Sequence, residues 1–407
     1  MTRYYLVLDV GTTGIKALIF SQDLQIVDRT YERIKKSHPG RGWVEQSPQE
    51  IVATSQRVLR KVVRQSRIPL KALLALGITN QRETTIVWDC KTGRPVYPAI
   101  VWEDKRTAKI CARMRREKLE AIVRRKTGLA IDPYFSATKI EWILKHAVRN
   151  LSHPSFILPS GRGGKRFSPL PGGGVREGDL LFGTVDTWVL WNLLEGQPHL
   201  TDWTNASRTL LYNIRTLEWD DDLLNMFSVP RAMLPKAQPS QSKFGILRQD
   251  IIGTRLPVLT VCGDQQASMY GVGTQAGSTK ATYGTGTFLV QNLGSKFVLK
   301  KPFFTTLMPG KKQPGFALEA KIEGSGAAVD KVLHDNDKLD KALTRIAKAV
   351  DVYLKKLPIR PKALVIDGGI TKDGLMVEIQ ASVSRVKVRR QTTDDGTALG
   401  VAKLLTS

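Results

Sequence analysis

With 407 residues, 42% of them hydrophobic, the chain has the material for substantial cores and a length that favours two domains over one, which excludes global disorder. A formal charge of +25 and a pI near 10.0 would attract nucleic acid, anionic membrane or phosphorylated metabolites. The cations are dispersed, however, as in Arg60, Lys61, Arg64 and Arg67 on one predicted helix, so a solvated face is favoured over a dedicated nucleic-acid site.

In chain order, the apolar run Tyr4 to Leu8 reads as a strand and Ala17 to Phe20 as a second, joined through Gly11, Thr12 and Thr13 into a hairpin with a polar tip. The strand follows Met1 to Arg3 directly, with no basic, apolar leader, and no apolar run approaches about eighteen residues. Those features predict a soluble, cytoplasmic protein with no membrane partner. Ser47, Pro48, Gln49 and Glu50 form a capping box with proline at the first helical position, opening a helix that runs to about Ser66. Strands are predicted at Leu73 to Thr79 and Thr84 to Trp88, helices through Asp104 to Asn150, and a further helix at Asp186 to Leu194. Ser160 to Gly174, rich in glycine, proline and arginine, reads as a surface insertion spanning about residues 158–176. A new strand begins around Leu256 to Val261, and a boundary near residue 250 divides the chain into 1–250 and 251–407. Thr282 to Phe288 joins two apolar runs just as Asp9 to Thr13 does near the start. Two related halves, each offering a Gly-Thr hairpin tip, predict an α/β, internally duplicated architecture with a cleft between lobes.

Cys90, Cys111 and Cys262 are scattered without CxxC spacing, and the five histidines form no HxxxH pair, which disfavours a disulfide framework, a zinc site and a histidine-metal hydrolase. A Gly-Thr tip suits phosphate, because glycine lets backbone N–H groups approach an anion and threonine adds hydroxyl donors. Asp9, just before the first tip, is a candidate for holding magnesium through water, and Lys16 places a cation within reach of the same tip. Asp367, Gly368 and Gly369 supply a third glycine turn. No GxxxxGK[ST] occurs, so a P-loop is excluded, and Gly271 to Gly277 has the wrong spacing for a dinucleotide fingerprint. Phosphoryl transfer to a hydroxyl needs a carboxylate as proton acceptor. Asp264, at a strand end before a helix, is placed for that role, with helix capping as its alternative reading. Arg82 and Glu83, at another strand end, suit vicinal hydroxyls, with a structural ion pair as the alternative.

The segments Leu8 to Thr13, Gly42 to Gln46, Gly77 to Glu83, Ala99 to Trp102, Asp132 to Lys139, Phe182 to Trp188, Gly263 to Gln266 and Tyr283 to Gly286 together resemble the FGGY carbohydrate kinases. Within that family the chain is most similar to the glycerol kinases. The likeness is nearly continuous from residue 4 to about 330. It implies an actin-like two-domain fold of the ribonuclease H-like type, ATP and Mg2+ as cofactors, and phosphoryl transfer to a small polyol such as glycerol. By position it implies that Arg82, Glu83, Trp102, Tyr134, Asp264, Gln265 and Phe288 line the polyol pocket, with Asp264 as base. It likewise places Thr12, Thr13, Lys16, Thr285, Gly326, Gly369 and Asp373 on the nucleotide side and Asp9 near the metal. Lys16 stands where the family usually has arginine, and Asp330 and Asp373 stand where it usually shows glutamine and asparagine. After Gly324 to Ala328 part of the usual second domain is absent, and the sequence ends at Ser407 without the usual C-terminal helices. These departures leave a non-catalytic polyol-binding protein or regulator with impaired ATP binding as an alternative, and a kinase for another sugar or polyol stays open because the sequence does not exclude a somewhat larger pocket. They also predict a sheet edge that a partner covers or a re-formed lobe removes. A homo-oligomer is left open.

Overall fold

The computed structural model describes residues 3–148, 177–284, 286–322, 336–372 and 374–407; the Ser160 to Gly174 insertion, Thr285, Gly326, Asp330 and Asp373 fall outside them. The chain opens with β1 (Tyr4–Val10) and β2 (Gly14–Ser21), an antiparallel hairpin in register from Tyr4 opposite Ser21 to Val10 opposite Ile15, and continues into β3 (Ile26–Arg33). Helix α1 (Pro48–Ser66) starts as the capping box requires, with the Ser47 hydroxyl accepting from the Glu50 amide. Strand β4 (Leu73–Asn80) then pairs parallel with β1. The predicted helical stretch resolves into α2 (Ala108–Arg116), α3 (Glu120–Thr127) and α4 (Ser136–Ile143), and α5 (Val185–Leu193) follows. A short strand, Ile86–Asp89, pairs with Leu180–Gly183 beside them.

Strands β5 (Gln241–Leu247) and β6 (Leu256–Gly263) complete a first six-stranded sheet in the order β5-β6-β4-β1-β2-β3. The boundary placed near residue 250 falls between β5 and β6, which pair within this sheet. The strand beginning at Leu256 does not open the second lobe; it pairs parallel with β4, because its buried Val258 and Val261 belong to the core under the first sheet. After helix α6 (Asp264–Val272) come β7 (Thr279–Tyr283), β8 (Thr287–Gly294), β9 (Phe304–Leu307) and β10 (Phe316–Ile322). Helix α7 (Asn336–Leu354), β11 (Ala363–Asp367), helix α8 (Leu375–Ser384) and β12 (Lys387–Arg390) finish a second six-stranded sheet, ordered β9-β10-β8-β7-β11-β12.

The duplication is visible in the pairing. In each sheet the first hairpin strand, β1 or β7, has its antiparallel partner on one side and a parallel strand, β4 or β11, on the other. Alternation along β1 sends Leu6, Leu8 and Val10 into one core with Ile51, Val58 and Leu59 of α1, and Val7 into another. That second core is closed by α9 (Gly396–Thr406), which returns from the end of the chain to pack on α6 and β1. At the crossing, a Cβ on Gly400 would lie within 1.8 Å of the Ala267 carbonyl oxygen, so only glycine permits this approach. Among the described residues the second lobe's sheet has six strands, and its edge β12 reads Lys387, Val388, Arg389, Arg390, a charged edge that resists pairing with other chains.

Candidate active site

The two hairpin tips face one cleft of about 320 Å³, lined by Thr12 and Thr13 from the first, Gly284 and Gly286 from the second, and Asp264 between them. Arg82, Glu83, Trp102, Tyr134, Gln265 and Phe288 line the same cleft, so all seven residues proposed for the polyol side meet in one place. Thr282, at the start of the second tip, and Glu103, which was not singled out from the sequence, join them.

Arg82 and Glu83 lie just past the end of β4, where the chain leaves the sheet. Glu83 adopts φ 61°, the left-handed region that an L side chain rarely occupies. Its carbonyl is held there by the Ser136 hydroxyl at 3.2 Å, the Lys139 ammonium at 3.2 Å and the Thr85 hydroxyl at 3.1 Å. Lys139 is fully buried at the start of α4, and that burial pulls its pKa down to about 8 against the opposing pull of Glu83. The Arg82 guanidinium spans both lobes: Nε lies 3.1 Å from Asp264 Oδ1, and Nη1 donates to Glu319 Oε2 at 2.7 Å and to Gln266 Oε1 at 3.1 Å. Arg208 runs parallel, donating from Nε to Glu83 Oε1 at 2.6 Å and from Nη2 to Glu319 Oε1 at 2.8 Å. Arg82 and Glu83 therefore belong to one ion-paired network that borders the cleft.

Glu319 on β10 and Arg208 did not emerge from the sequence. Burial alone would raise the Glu319 carboxyl, but Arg208 and Arg82 hold it below its usual range. The signal that was available is compositional: a single glutamate inside the apolar run of β10, buried on a strand facing the other lobe.

Asp264 is the first residue of α6, and its Oδ1 accepts from the Gln265 amide at 2.7 Å. A third of the side chain opens to the cleft. Crowding by protein pushes its pKa up to about 6, Arg82 opposes that rise, and Glu83 and Glu319 add to it. The aromatic wall is an edge-on cluster, with ring centroids 5.7 Å apart for Trp102 and Tyr134 and 6.1 Å for Trp102 and Phe288. Trp102 Nε1 donates to Thr12 Oγ1 at 2.9 Å, tying the wall to the first tip.

Beside the first tip, Asp9 is paired across the hairpin with Lys16, whose ammonium reaches Asp395 Oδ1 at 2.7 Å. Arg29 takes the other Asp395 oxygen at 2.9 Å, so Lys16 serves Asp9 and Asp395 together. Burial pushes Asp9 up to about 6; Lys16 counters this, and Asp264 and Asp395 reinforce it. The Asp367-Gly368-Gly369 turn lies beside the second tip, with Thr282 opposite Asp367 in the parallel pairing of β7 and β11. Gly368, at φ 105°, brings its backbone so close to Tyr283 that a Cβ would stand 2.1 Å from the Tyr283 oxygen. Lys280 anchors this corner through Asp367 at 3.1 Å and Thr282 at 2.5 Å. Thr285, Gly326 and Asp373, the other nucleotide-side candidates, lie outside the described residues.

The remaining expectations concern absences. The three cysteines are free, and among the described residues no helix is long and apolar enough to cross a membrane. Also among the described residues, no group of three or more His, Cys, Asp or Glu side chains is arranged to hold a metal.

A sequence profile of the FGGY family of carbohydrate kinases, N-terminal domain, matches residues 4–271. Glycerol kinase 2 of Thermotoga maritima is 35% identical, in an alignment covering 99% of this chain and 89% of that protein. Glycerol kinase of Citrobacter koseri is 42% identical over 80% of this chain and 62% of its own length. Among solved structures, Plasmodium falciparum glycerol kinase with ADP superposes with a TM-score of 0.82 at 25% identity, covering 99% of this chain and 89% of that one. Xylulose kinase of Rhodospirillum rubrum gives 0.81 at 15% identity, covering 99% and 89%, a likeness of fold alone.

Proposed function

The chain belongs to the FGGY family of carbohydrate kinases, and from that premise we propose that it transfers the terminal phosphoryl group of ATP to glycerol in the cytoplasm, giving glycerol 3-phosphate and ADP. The observation that carries this reading is one cleft in which a carboxylate, Asp264, stands between two Gly-Thr tips and beside the Arg82–Glu83 pair.

Each residue has a chemical task. Glu83 accepts from a polyol hydroxyl, while the Arg82 edge and Gln265 orient its neighbours. Trp102, Tyr134 and Phe288 cover the carbon chain and keep water from competing as acceptor. The tips hold the nucleotide's phosphates through backbone N–H groups and the Thr12 and Thr13 hydroxyls. Asp264 takes the proton as the acceptor oxygen bonds to the γ-phosphorus and the bond from that phosphorus to ADP breaks.

A magnesium ion fits this donor set. With no carboxylate cluster among the described residues, the ion would depend on Asp9 and the phosphates themselves, the mode that a strongly hydrated hard cation prefers. When bound it neutralises phosphate charge.

The test is ADP release followed by an enzyme-coupled assay with purified protein, ATP, magnesium and glycerol. Glycerol-dependent turnover in the ordinary kinase range, about 1–100 s⁻¹, is expected. Folded protein that binds glycerol in a calorimeter yet releases no ADP would replace this reading with a non-catalytic polyol-binding protein.

A further inference from the structure

Beside the acceptor pocket, against two of its wall rings, stands one cation that the neutral triol leaves without a task. Lys321 lies on β10 directly opposite Phe288 of β8. Residues paired across an antiparallel ladder project to the same face, so the Lys321 side chain leaves the sheet on the side from which Phe288 enters the cleft. Its ammonium stands 4.7 Å from the Tyr134 ring centroid and 5.4 Å from that of Trp102, two members of the pocket wall. The residue is half-buried. Among the described residues it makes no ion pair, in contrast to Lys280, which is tied to Asp367.

The other cations on the acceptor side are already committed. Arg82 has Glu319, Gln266 and Asp264 against its nitrogens, so little of its charge is left for an anionic substituent on the acceptor. Arg208 is fully buried against Glu83 and Glu319. Lys139 is fully buried with its ammonium on the Glu83 and Tyr134 carbonyls. Among the described residues the cation left beside the cleft is therefore Lys321, held over aromatic faces that attract a cation more weakly than a carboxylate does. Hydroxyls need no such charge, whereas a carboxylate entering a partly apolar pocket must find a cation or forfeit its hydration.

We propose that Lys321 gives the acceptor pocket a subsite for a carboxylate, so that the chain phosphorylates small polyhydroxy acids as well as the neutral polyol. The proposal rests on the polyol kinase reading above. The chemistry of the step is unchanged. A hydroxyl oxygen of the acid bonds to the γ-phosphorus, the γ-phosphorus bond to the bridging oxygen breaks with its electron pair leaving on ADP, and the hydroxyl proton passes to Asp264. The carboxylate stays ionised against Lys321 and takes no part in bond making.

The experiment compares ADP release with glycerol and with D- and L-glycerate, for the wild type, Lys321→Met and Lys321→Arg, each confirmed as folded by circular dichroism. The wild type is expected to turn over at least one glycerate enantiomer. The ratio of kcat/KM for glycerate to that for glycerol is expected to fall about tenfold or more in Lys321→Met, the size of one charge-assisted contact, and to survive largely in Lys321→Arg. Turnover of glycerol without glycerate in the wild type overturns this proposal alone, as does an unchanged ratio in Lys321→Met, which would make the lysine part of the wall only. Absence of turnover with both acceptors removes the parent reading and this one with it.

Discussion

Asp264 has to be ionised to accept a proton, and its surroundings decide the pH at which that happens. Burial pushes its pKa up to about 6, and the nearby Arg82 guanidinium keeps it from rising further. Below that value the carboxyl already carries a proton and is too weak a base to take another from the hydroxyl, so kcat/KM for glycerol should be lost as pH falls through about 6 and level off above it. Asp9, also pushed up to about 6, would make the fall steeper than one proton allows if both must be ionised in the free enzyme. Asp264→Asn should cut kcat by a factor of about 10² to 10⁴ and remove the limb that belongs to this residue, while circular dichroism stays native. A variant that keeps its rate would assign the base elsewhere. Glu83 makes a different point at the same scale: its side chain was identifiable from a strand-end motif, but its left-handed backbone was not, because that conformation is imposed by Ser136, Lys139 and Thr85, two of which lie more than fifty residues away.

Among the described residues, strand β10 makes its interlobe ion pairs through a single residue. Glu319, with no exposed surface, accepts from Arg82 and Arg208, both from the first lobe. Glu319→Gln removes the charge that the two buried guanidiniums share, and losing one partner of a buried ion pair typically costs about 3–5 kcal/mol. Chemical denaturation should therefore show a loss of that order, and KM for glycerol should rise because Arg82 and Glu83 lose their anchor. A stability unchanged by the substitution would mean that water already screens this network. The elements themselves were largely legible. The hairpin β1–β2, the capped helix α1, strand β4 and the α6 start at Asp264 all follow from local pattern, turn residues and caps. What pattern does not carry is which sheet a strand joins. β6 reads as the start of a new lobe because an apolar run following Gly253 looks the same in either sheet, and only its parallel pairing with β4 settles the matter. Helix α9 was likewise hidden, since its docking depends on Gly400 meeting Ala267 across the fold.

At the scale of the whole molecule the charge of +25 has no single home. Arg57 on the outer face of α1 pairs with Glu32 and Arg60 bonds to the Ile251 carbonyl, as expected of a solvated face with structural duties. Spread over the surface, the same charge still produces a long-range field, and that field acts on the two substrates differently. ATP is strongly anionic and glycerol is neutral, so steering should speed capture of the nucleotide alone. The Debye length shrinks from about 30 Å at 0.01 M salt to about 8 Å at 0.15 M, which removes most of this attraction while leaving contacts inside the cleft intact. Between those salt concentrations kcat/KM for ATP should fall several-fold, while kcat/KM for glycerol, measured with saturating ATP, should change by less than about twofold. Association with duplex DNA should be weak at the higher salt, since dispersed cations do not line up with a phosphate backbone. If both substrates responded alike, the effect would have to come from the fold rather than from the field, and if neither responded, the acidic groups at the cleft, Asp9, Glu83, Glu103 and Asp264, would have cancelled the surface charge where it matters.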